Sequence, residues 1–232
     1  MKGRFKLARM GKNLDFISKI HRSTPRDYLK ERVLNCDKAA CAKVAKKFGK
    51  DYWDGHRKYG YGGYQYDGRW RPLAQKLAAH YRLKAGDRVL DVGCGKGYLL
   101  YELVQAVPGL RVAGIDISRY AIGHAKEEMK PYVKVGDARR LPYQKASFDF
   151  VLSINVLHNF QIFDLEKALE EIERVSSGNK KYIVMDAYRN EREKVNLMYW
   201  QLTCECFFTP QEWEWIFKTS GYRGDYGFIF YE

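Results

Sequence analysis

The sequence lacks a long apolar run and a secretory signal. Hydrophobic residues make up 46% of its 232 residues, yet no run approaches the roughly 20 apolar residues that cross a bilayer. Residues 1–12 alternate basic and apolar side chains, without the apolar stretch and small-residue cleavage site of a signal peptide. We therefore expect a cytoplasmic protein with no membrane span.

The sequence also has no CxxC pair and no cluster of histidines beside its cysteines. The five cysteines are Cys36, Cys41, Cys94, Cys204 and Cys206. An odd count argues against a complete disulfide framework, and the spacing matches no zinc site. We expect free, structural thiols and no metal.

Acidic residues are scarce in the first part of the chain. The formal net charge is +13, and residues 1–88 contain 23 Lys and Arg against 8 Asp and Glu, whereas the remainder is nearly balanced. Such an asymmetry favours an acidic partner: a phosphorylated metabolite, a nucleotide sugar or a nucleic acid. A basic surface that is merely solvated would give the same asymmetry.

Residues 1–70 are predicted to form a basic cap that precedes the core. Thr24 and Pro25 indicate a helix start, and a second helical run begins near Asp37 and stops at Gly49. Residues 51–70 interleave five tyrosines and two tryptophans with five glycines, which is typical of a loop rather than regular structure. We interpret this segment as a lid, although an aromatic platform for RNA bases would have a similar composition.

Residues 71–232 are predicted to form an α/β core with a mostly parallel sheet flanked by helices. A helix is expected at 71–81, and from Arg88 short apolar runs alternate with helical stretches, as in successive βα units. The expected strands are 88–92, 111–115, 132–135, 148–154, 181–186 and 225–231. The expected helices that follow them are 98–105, 119–129, 165–175 and one that begins at Thr209 and ends before Gly221.

A glycine-rich turn follows the first core strand, in the segment VLDVGCGKGYLL. It places Asp91, Gly93, Gly95 and Gly97 at the junction of strand and helix. Glycines are needed there because side chains would keep the backbone from making a tight turn close to a bound nucleoside. The spacing is GxGxG after an acidic residue, unlike the GxGxxG of proteins that bind a dinucleotide pyrophosphate.

Two further strand ends carry acidic residues in the order that a nucleoside site requires. Asp116 ends the second core strand, where its carboxylate can accept hydrogen bonds from both ribose hydroxyls. Asp137 and Ala138 follow the third strand and can meet an adenine amino group and a ring nitrogen. Each residue alone could be a turn or a helix cap, but three junctions in this order indicate one nucleoside site.

With these motifs, residues 72–232 resemble the class I methyltransferases of the ubiquinone- and menaquinone-biosynthesis type and their sugar-modifying relatives. The LPY and SFDFVLS segments within residues 141–153 match as well. The resemblance implies a Rossmann-like fold and S-adenosylmethionine as cofactor. One departure is that a single clear strand follows the last helix, where the family usually has an antiparallel pair, so part of the sheet edge could come from residues 203–208.

The residues predicted to bind the cofactor lie in the glycine turn, at the following strand ends and in the lid. They are Asp91, Gly93, Cys94, Gly95, Gly97, Asp116, Ile117, Asp137, Ala138, Ser153, Asn155, Tyr64 and Arg69.

The catalytic and acceptor residues are predicted at the same edge of the sheet. His158 follows the fourth strand and is the candidate general base, although it could equally pack or cap the next helix. A base is optional, because a sulfonium leaving group is already activated. The candidate acceptor-binding residues are Tyr61, Tyr66, Tyr188 and Arg189.

The expected activity is methylation of a small, anionic metabolite such as a nucleotide sugar or a polysaccharide precursor. The chain has SINV after the fourth strand instead of NPPY or DPPY, which disfavours the base-flipping site of DNA amino-methyltransferases. An RNA or tRNA methyltransferase remains the alternative because of the basic N-terminal region. A regulatory or scaffold protein that binds S-adenosylmethionine without catalysis is the alternative from another class.

Overall fold

The computed structural model describes residues 10–24, 26–28, 30–34 and 37–232. The predicted helix start at Thr24 and Pro25 lies only partly within these ranges, because Pro25 is outside them. Cys36 is outside them too. No helix among the described residues is long and apolar enough to cross a bilayer.

A six-stranded sheet forms the centre of the molecule. Every strand pairing is parallel, and the order across the sheet is β3-β2-β1-β4-β5-β6. The predicted mostly parallel sheet is confirmed. The strands are β1 Arg88–Val92, β2 Arg111–Asp116, β3 Val133–Val135, β4 Phe150–Ile154, β5 Lys181–Asp186 and β6 Asp225–Ile229.

Helices cover both faces of the sheet, which is why its central strands β1, β4 and β5 are buried along almost their whole length. One core cluster contains Leu77 and Leu103 from the helices before and after β1, and the other contains Leu169 and Trp213. The α-helices are α1 Ser18–Arg22, α2 Lys38–Ala45, α3 Lys50–Trp53, α4 Arg71–Tyr81, α5 Tyr98–Ala106, α6 Arg119–Gly123, α7 Ile162–Val175, α8 Glu191–Trp200 and α9 Pro210–Thr219. Shorter turns are the π-helical Lys30–Leu34 and the 3-10 turns Arg57–Tyr59, Glu127–Tyr132 and Leu157–Asn159.

The helix predicted at 119–129 is too long. Helix α6 ends at Gly123, and a 3-10 turn with Pro131 inside it follows. Glycine weakens a helix, and proline cannot donate the next backbone hydrogen bond, so the chain leaves the α conformation here. Helix α8 was not predicted as a separate element, although Asn190 caps it by accepting a hydrogen bond from the Glu193 amide at 3.0 Å.

The last strand, predicted at 225–231, is present as β6, but no antiparallel partner joins it among the described residues. Residues 203–208 form no strand; instead, the Glu205 and Cys206 amides donate to the His158 carbonyl at 2.9 and 3.1 Å. Strand β6 lies parallel to β5, and its outer side bonds to the N-terminal segment. The Tyr226 amide donates to the Lys12 carbonyl at 3.0 Å, and the Leu14 amide donates to the Tyr226 carbonyl at 2.7 Å.

The cap packs directly on the glycine turn of the core. The Lys96 side chain is 3% exposed, and its ammonium donates to both carboxylate oxygens of Asp54 at 2.7 Å and to the Tyr64 carbonyl at 2.8 Å. The segment predicted as a lid is only partly a loop, because helix α3 and the 3-10 turn Arg57–Tyr59 lie in its first half.

The cysteines follow the prediction only in part. Cys94, Cys204 and Cys206 carry free, buried thiols. Cys41, in contrast, is disulfide-bonded, so the expectation of free thiols throughout is wrong for this residue. Among the described residues, no group of three or more His, Cys, Asp or Glu side chains could hold a metal ion.

Candidate active site

Two neighbouring cavities lie where the strands of the sheet end. The larger has a volume of about 560 Å³ and the smaller about 170 Å³. Gly93 follows β1, Asp116 ends β2 and Asn155 follows β4, so the cavities occupy the carboxyl edge at which open α/β sheets bind ligands. Their shared wall consists of Tyr52, Trp53, Tyr61, Gly93, Ile154, Asn155 and Asn159.

The glycine turn forms a cradle with no space for side chains. Gly93 has a φ of +84°, and a Cβ there would lie 2.0 Å from Val156 Cγ2. A Cβ on Gly95 would lie 2.9 Å from the indole ring of Trp53, a cap residue. The turn therefore brings bare backbone to the cavity wall, beneath an aromatic ring of the cap.

Asp116 is buried beside this turn, and two backbone amides orient its carboxylate. Oδ2 accepts a hydrogen bond from the Gly95 amide, and Oδ1 accepts one from the Ser118 amide, both at 2.8 Å. Burial raises the pKa of Asp116 even though these two bonds oppose the shift. The residue lines the smaller cavity, and each oxygen keeps a lone pair for a ligand.

The smaller cavity also contains the other residues predicted for the nucleoside. Ile117, Asp137 and Ala138 are all in its wall. Asp137, however, pairs with Arg139 at 2.6 Å, and this guanidinium holds the pKa of Asp137 below its usual range. Arg139 lines the cavity as well and was not predicted, because an arginine two residues after a strand-end acid has no distinctive signature.

Two asparagines supply hydrogen-bond acceptors without partners. The Oδ1 atoms of Asn155 and Asn159 are buried and unpaired, and both residues line both cavities. Asn155 has a φ of +60°, an uncommon conformation that functional sites often retain. Buried polar atoms are normally satisfied, so these oxygens suit a ligand with N–H or O–H donors. Asn155 was predicted, whereas Asn159 was missed.

Asp91 lies in the wall of the larger cavity and is 4% exposed. Burial, and then the neighbouring Asp116 carboxyl, raises the pKa of Asp91 to about 8. Without a ligand, the carboxyl is therefore mostly protonated at neutral pH. A cationic group in the cavity would favour its charged form.

We expect an Asp91→Asn variant without ligand to gain stability over the wild-type chain as the pH rises from 4 to 8, by about 5 kcal/mol at pH 8. The folded-state pKa of Asp91 is raised, so the unfolded chain loses this proton first. The carboxyl therefore costs stability as the pH rises from about 4 to about 8. Urea unfolding between pH 4 and pH 8 measures the difference, which should shrink toward pH 4. Glu166→Gln, at an exposed position, is the control, and curves for Asp91→Asn that follow the wild type at every pH would contradict the assignment.

His158 is 2% exposed and lies against Asp186. Its Nδ1 accepts a hydrogen bond from the Asp186 amide at 3.2 Å, and its Nε2 lies 3.5 Å from Asp186 Oδ2. Burial lowers the pKa of His158, which Asp186 partly opposes, so the ring is neutral at pH 7. His158 lines the larger cavity, but both ring nitrogens are directed at Asp186.

The larger cavity is also lined by Tyr61, Tyr64, Arg69 and Cys94, the candidate residues from the lid and the glycine turn. The rings of Trp53 and Tyr61 stack with centroids 5.2 Å apart, and those of Tyr64 and Tyr98 stack at 5.1 Å. This column connects the cap to helix α5. Trp53 was missed because its place over the glycine turn depends on how the cap folds back.

Five of the predicted site residues line neither cavity. Ser153 is buried and donates to the Val92 carbonyl at 2.8 Å, as an interior strand hydroxyl does. Tyr66 bonds to Glu102 over helix α5, and Arg189 forms ion pairs with Glu193 and Glu232. The five residues are Gly97, Ser153, Tyr66, Tyr188 and Arg189.

Comparison with known proteins identifies the family. A family model described as a methyltransferase domain matches residues 83–221, which is more than half of the chain. The chain therefore belongs to this family of class I methyltransferases, whose methyl donor is S-adenosylmethionine.

The matched relatives share the core but only part of their length. The demethylmenaquinone methyltransferase of Symbiobacterium thermophilum is 30% identical over 128 residues, 52% of this chain and 50% of the relative. That of Thermus thermophilus is 34% identical over 125 residues, 52% of this chain and 54% of the relative. The chain thus spans about half the length of these curated relatives.

Among solved structures, a chain of the complex between the Haloferax volcanii Trm112 methyltransferase activator and a methyltransferase has a TM-score of 0.53. The two chains are 27% identical. The match covers 64% of this chain and 66% of the chain in the complex. The YcgJ protein of Bacillus subtilis also has a TM-score of 0.53, at 23% identity over 66% of this chain and 68% of its own, and supports the fold alone.

The cavity walls fit the family cofactor. The cradle at Gly93 admits backbone only, the unpaired oxygens of Asn155 and Asn159 accept hydrogen bonds, and Asp91 and Asp116 supply carboxyl groups. S-Adenosylmethionine carries an ammonium group, ribose hydroxyls and an adenine amino group as donors. When bound, it supplies an electrophilic methyl group.

Proposed function

We propose that this chain transfers the methyl group of S-adenosylmethionine to a small, anionic metabolite, such as a nucleotide sugar or a polysaccharide precursor. The observation that carries the proposal is the larger cavity. Its volume of about 560 Å³ is within the roughly 300–1,000 Å³ range of small-molecule sites. Its wall combines the glycine turn of the core with aromatic and basic residues of the cap.

The residues divide between the two cavities by their chemistry. In the smaller cavity, Asp116 would accept from the ribose hydroxyls, and Asp137 with Ala138 would hold the adenine. In the larger cavity, Asp91 and Asn155 would face the amino-acid part of the cofactor, which leaves the space toward the cap for the acceptor. Transfer then depends mainly on the alignment of acceptor and donor.

His158 is the candidate for removing a proton from the acceptor. In the structure its Nδ1 accepts a hydrogen bond from the Asp186 amide. The imidazole can therefore act as a base only when Nδ1 gives up this bond and takes the proton of the methyl acceptor. Asp186, itself buried with an unpaired Oδ1, lies close enough to stabilise the imidazolium that forms.

The test is a transfer assay with the purified full chain and radiolabelled S-adenosylmethionine. Separate arms contain nucleotide sugars and other phosphorylated metabolites, total tRNA, or no acceptor. We expect label in the small-molecule fraction, lost in Asn155→Ala and retained in the exposed control Arg192→Gln. Label in tRNA that falls steeply with salt would favour the RNA alternative. Bound cofactor with transfer in no arm would favour the non-catalytic alternative.

A further inference from the structure

Three arginines of the cap surround one tryptophan of helix α8. The Cζ atoms of Arg26, Arg32 and Arg57 lie 5.4, 4.4 and 5.1 Å from the centroid of the Trp200 ring. All four residues line the larger cavity. Cation–π contacts with one ring stabilise each guanidinium, but they do not cancel the repulsion between three positive charges.

Backbone carbonyls, rather than carboxylates, hold two of these arginines in place. Arg32 is 3% exposed and donates from Nε to the Trp200 carbonyl at 3.0 Å, from Nη2 to the Gly60 carbonyl at 3.1 Å, and from Nη1 to the Arg57 carbonyl. Arg26 donates from Nη1 to the carbonyls of His21 and Thr24 at 2.8 and 2.9 Å. These bonds fix the positions of the guanidiniums without neutralising their charge.

The cluster consequently has an excess of positive charge. Arg57 Nε pairs with Glu31 at 3.3 Å, but no ion pair joins Arg26 or Arg32 to any carboxylate among the described residues. The Nε atom of Arg26 is buried and has no hydrogen-bond partner. Burial, and then the neighbouring Arg57, lowers the pKa of Arg32 to about 10. Buried charges that lack counter-charges are costly, and an anion in the cavity would remove this cost.

We infer that Arg26, Arg32 and Arg57 bind an oxyanion group of the methyl acceptor, a phosphate or a carboxylate, beside the Trp200 ring. The inference rests on the proposed function and extends it by assigning the acceptor a charged group and a binding site. Guanidinium groups present paired N–H donors that match the geometry of both oxyanions. The unpaired Arg26 Nε is one such donor already inside the wall.

A competing role for this cluster is to bind the carboxylate of the cofactor itself. The two roles are separable, because S-adenosylhomocysteine carries that carboxylate and 5′-methylthioadenosine does not. If the arginines bind the cofactor carboxylate, their replacement weakens the binding of S-adenosylhomocysteine and leaves the binding of 5′-methylthioadenosine unchanged. If they serve the acceptor, neither compound is affected.

The experiment is calorimetry on the full chain saturated with S-adenosylhomocysteine, with phenyl phosphate and benzoate as probes. The two probes separate a phosphate site from a carboxylate site. We expect Arg26→Gln and Arg57→Gln each to lower the affinity for the probe that binds by about 10- to 100-fold, because a charge-assisted hydrogen bond is lost. Arg26→Lys retains the positive charge but not the paired N–H donors of the guanidinium, so its affinity for the probe should lie between those of Arg26→Gln and the wild type. Arg192→Gln removes an exposed arginine outside both cavities and should change nothing.

Arg32 is left intact because its three carbonyl bonds hold the cap together. Wild-type protein that binds neither probe, or Arg26 and Arg57 variants that bind as tightly as wild type, would overturn the inference. So would a variant that loses affinity for S-adenosylhomocysteine but not for 5′-methylthioadenosine. The proposed function fails by a different result, absence of methyl transfer to small molecules, so the two outcomes are distinguishable.

Discussion

An Asp116→Ala variant is expected to bind S-adenosylmethionine about 10- to 100-fold more weakly than the wild-type chain. The substitution removes the proposed hydrogen bonds to the ribose hydroxyls, which are worth about 1–3 kcal/mol together when partly buried. It also leaves the Gly95 and Ser118 amides without their acceptor, so the glycine turn loses one of its bonds to β2, although the Gly93 and Cys94 amides still donate to the Ile115 carbonyl. Isothermal titration calorimetry measures the dissociation constant directly.

Two further variants separate these contributions. Asp116→Asn keeps one oxygen for a backbone amide but removes the charge, and its affinity should lie between those of alanine and wild type. Glu166→Ala changes an exposed acidic residue on α7 and should leave the affinity unaltered. An unchanged dissociation constant for Asp116→Ala would remove Asp116 from the cofactor site and, with it, the assignment of the smaller cavity to the nucleoside.

A His158→Ala variant is expected to lower turnover by roughly 10²–10⁴-fold while cofactor affinity stays nearly constant. His158 lines the larger cavity and does not line the smaller one, so its loss should affect the acceptor proton more than the nucleoside. The pH profile of kcat should lose its rise through the pKa of the imidazole. Burial lowers that pKa, so the rise in the wild-type chain should occur below the ordinary histidine range.

The matched control is His124→Ala, at an exposed histidine that stacks on Tyr120. Asp186→Asn tests the partner, because an amide stabilises the imidazolium less than a carboxylate does. A His158→Ala variant that is folded and fully active would assign the histidine to packing against Asp186, and would leave alignment of the reactants as the main source of rate.

The sequence patterns predicted the core more accurately than its connections. Strand β5, residues 181–186, was predicted to the residue, because an unbroken apolar run between polar segments has few alternative interpretations in an α/β chain. The helix predicted at 119–129 was too long because the pattern gave little weight to Gly123. Helix α8 was missed since its one apolar stripe is weak among the charged residues that follow Asn190.

In the candidate site, too, the residues placed by a local sequence pattern were predicted, and those brought together by tertiary packing were missed. Gly93, Asp116 and Asn155 were predicted because each follows or ends a strand, so a local pattern fixes its place at the sheet edge. Arg26, Arg57 and Trp200 were missed since they are far apart in sequence and meet only through tertiary packing, for which no spacing rule exists.

The hydrogen bonds between the N-terminal segment and β6 have a consequence for the order of folding. The Lys12 amide donates to the Asp225 carboxylate, 213 residues away in sequence. The Leu14 amide donates to the Tyr226 carbonyl, which is similarly distant in sequence. The loop-closure entropy of such distant contacts must be offset by structure already present. We therefore expect the α/β core to form first and the cap to dock in a late phase, so that the arginines around Trp200 assemble after the glycine turn. Pulsed hydrogen exchange during refolding should show late protection of the Leu14 amide, and protection as early as that of β1 would contradict this order.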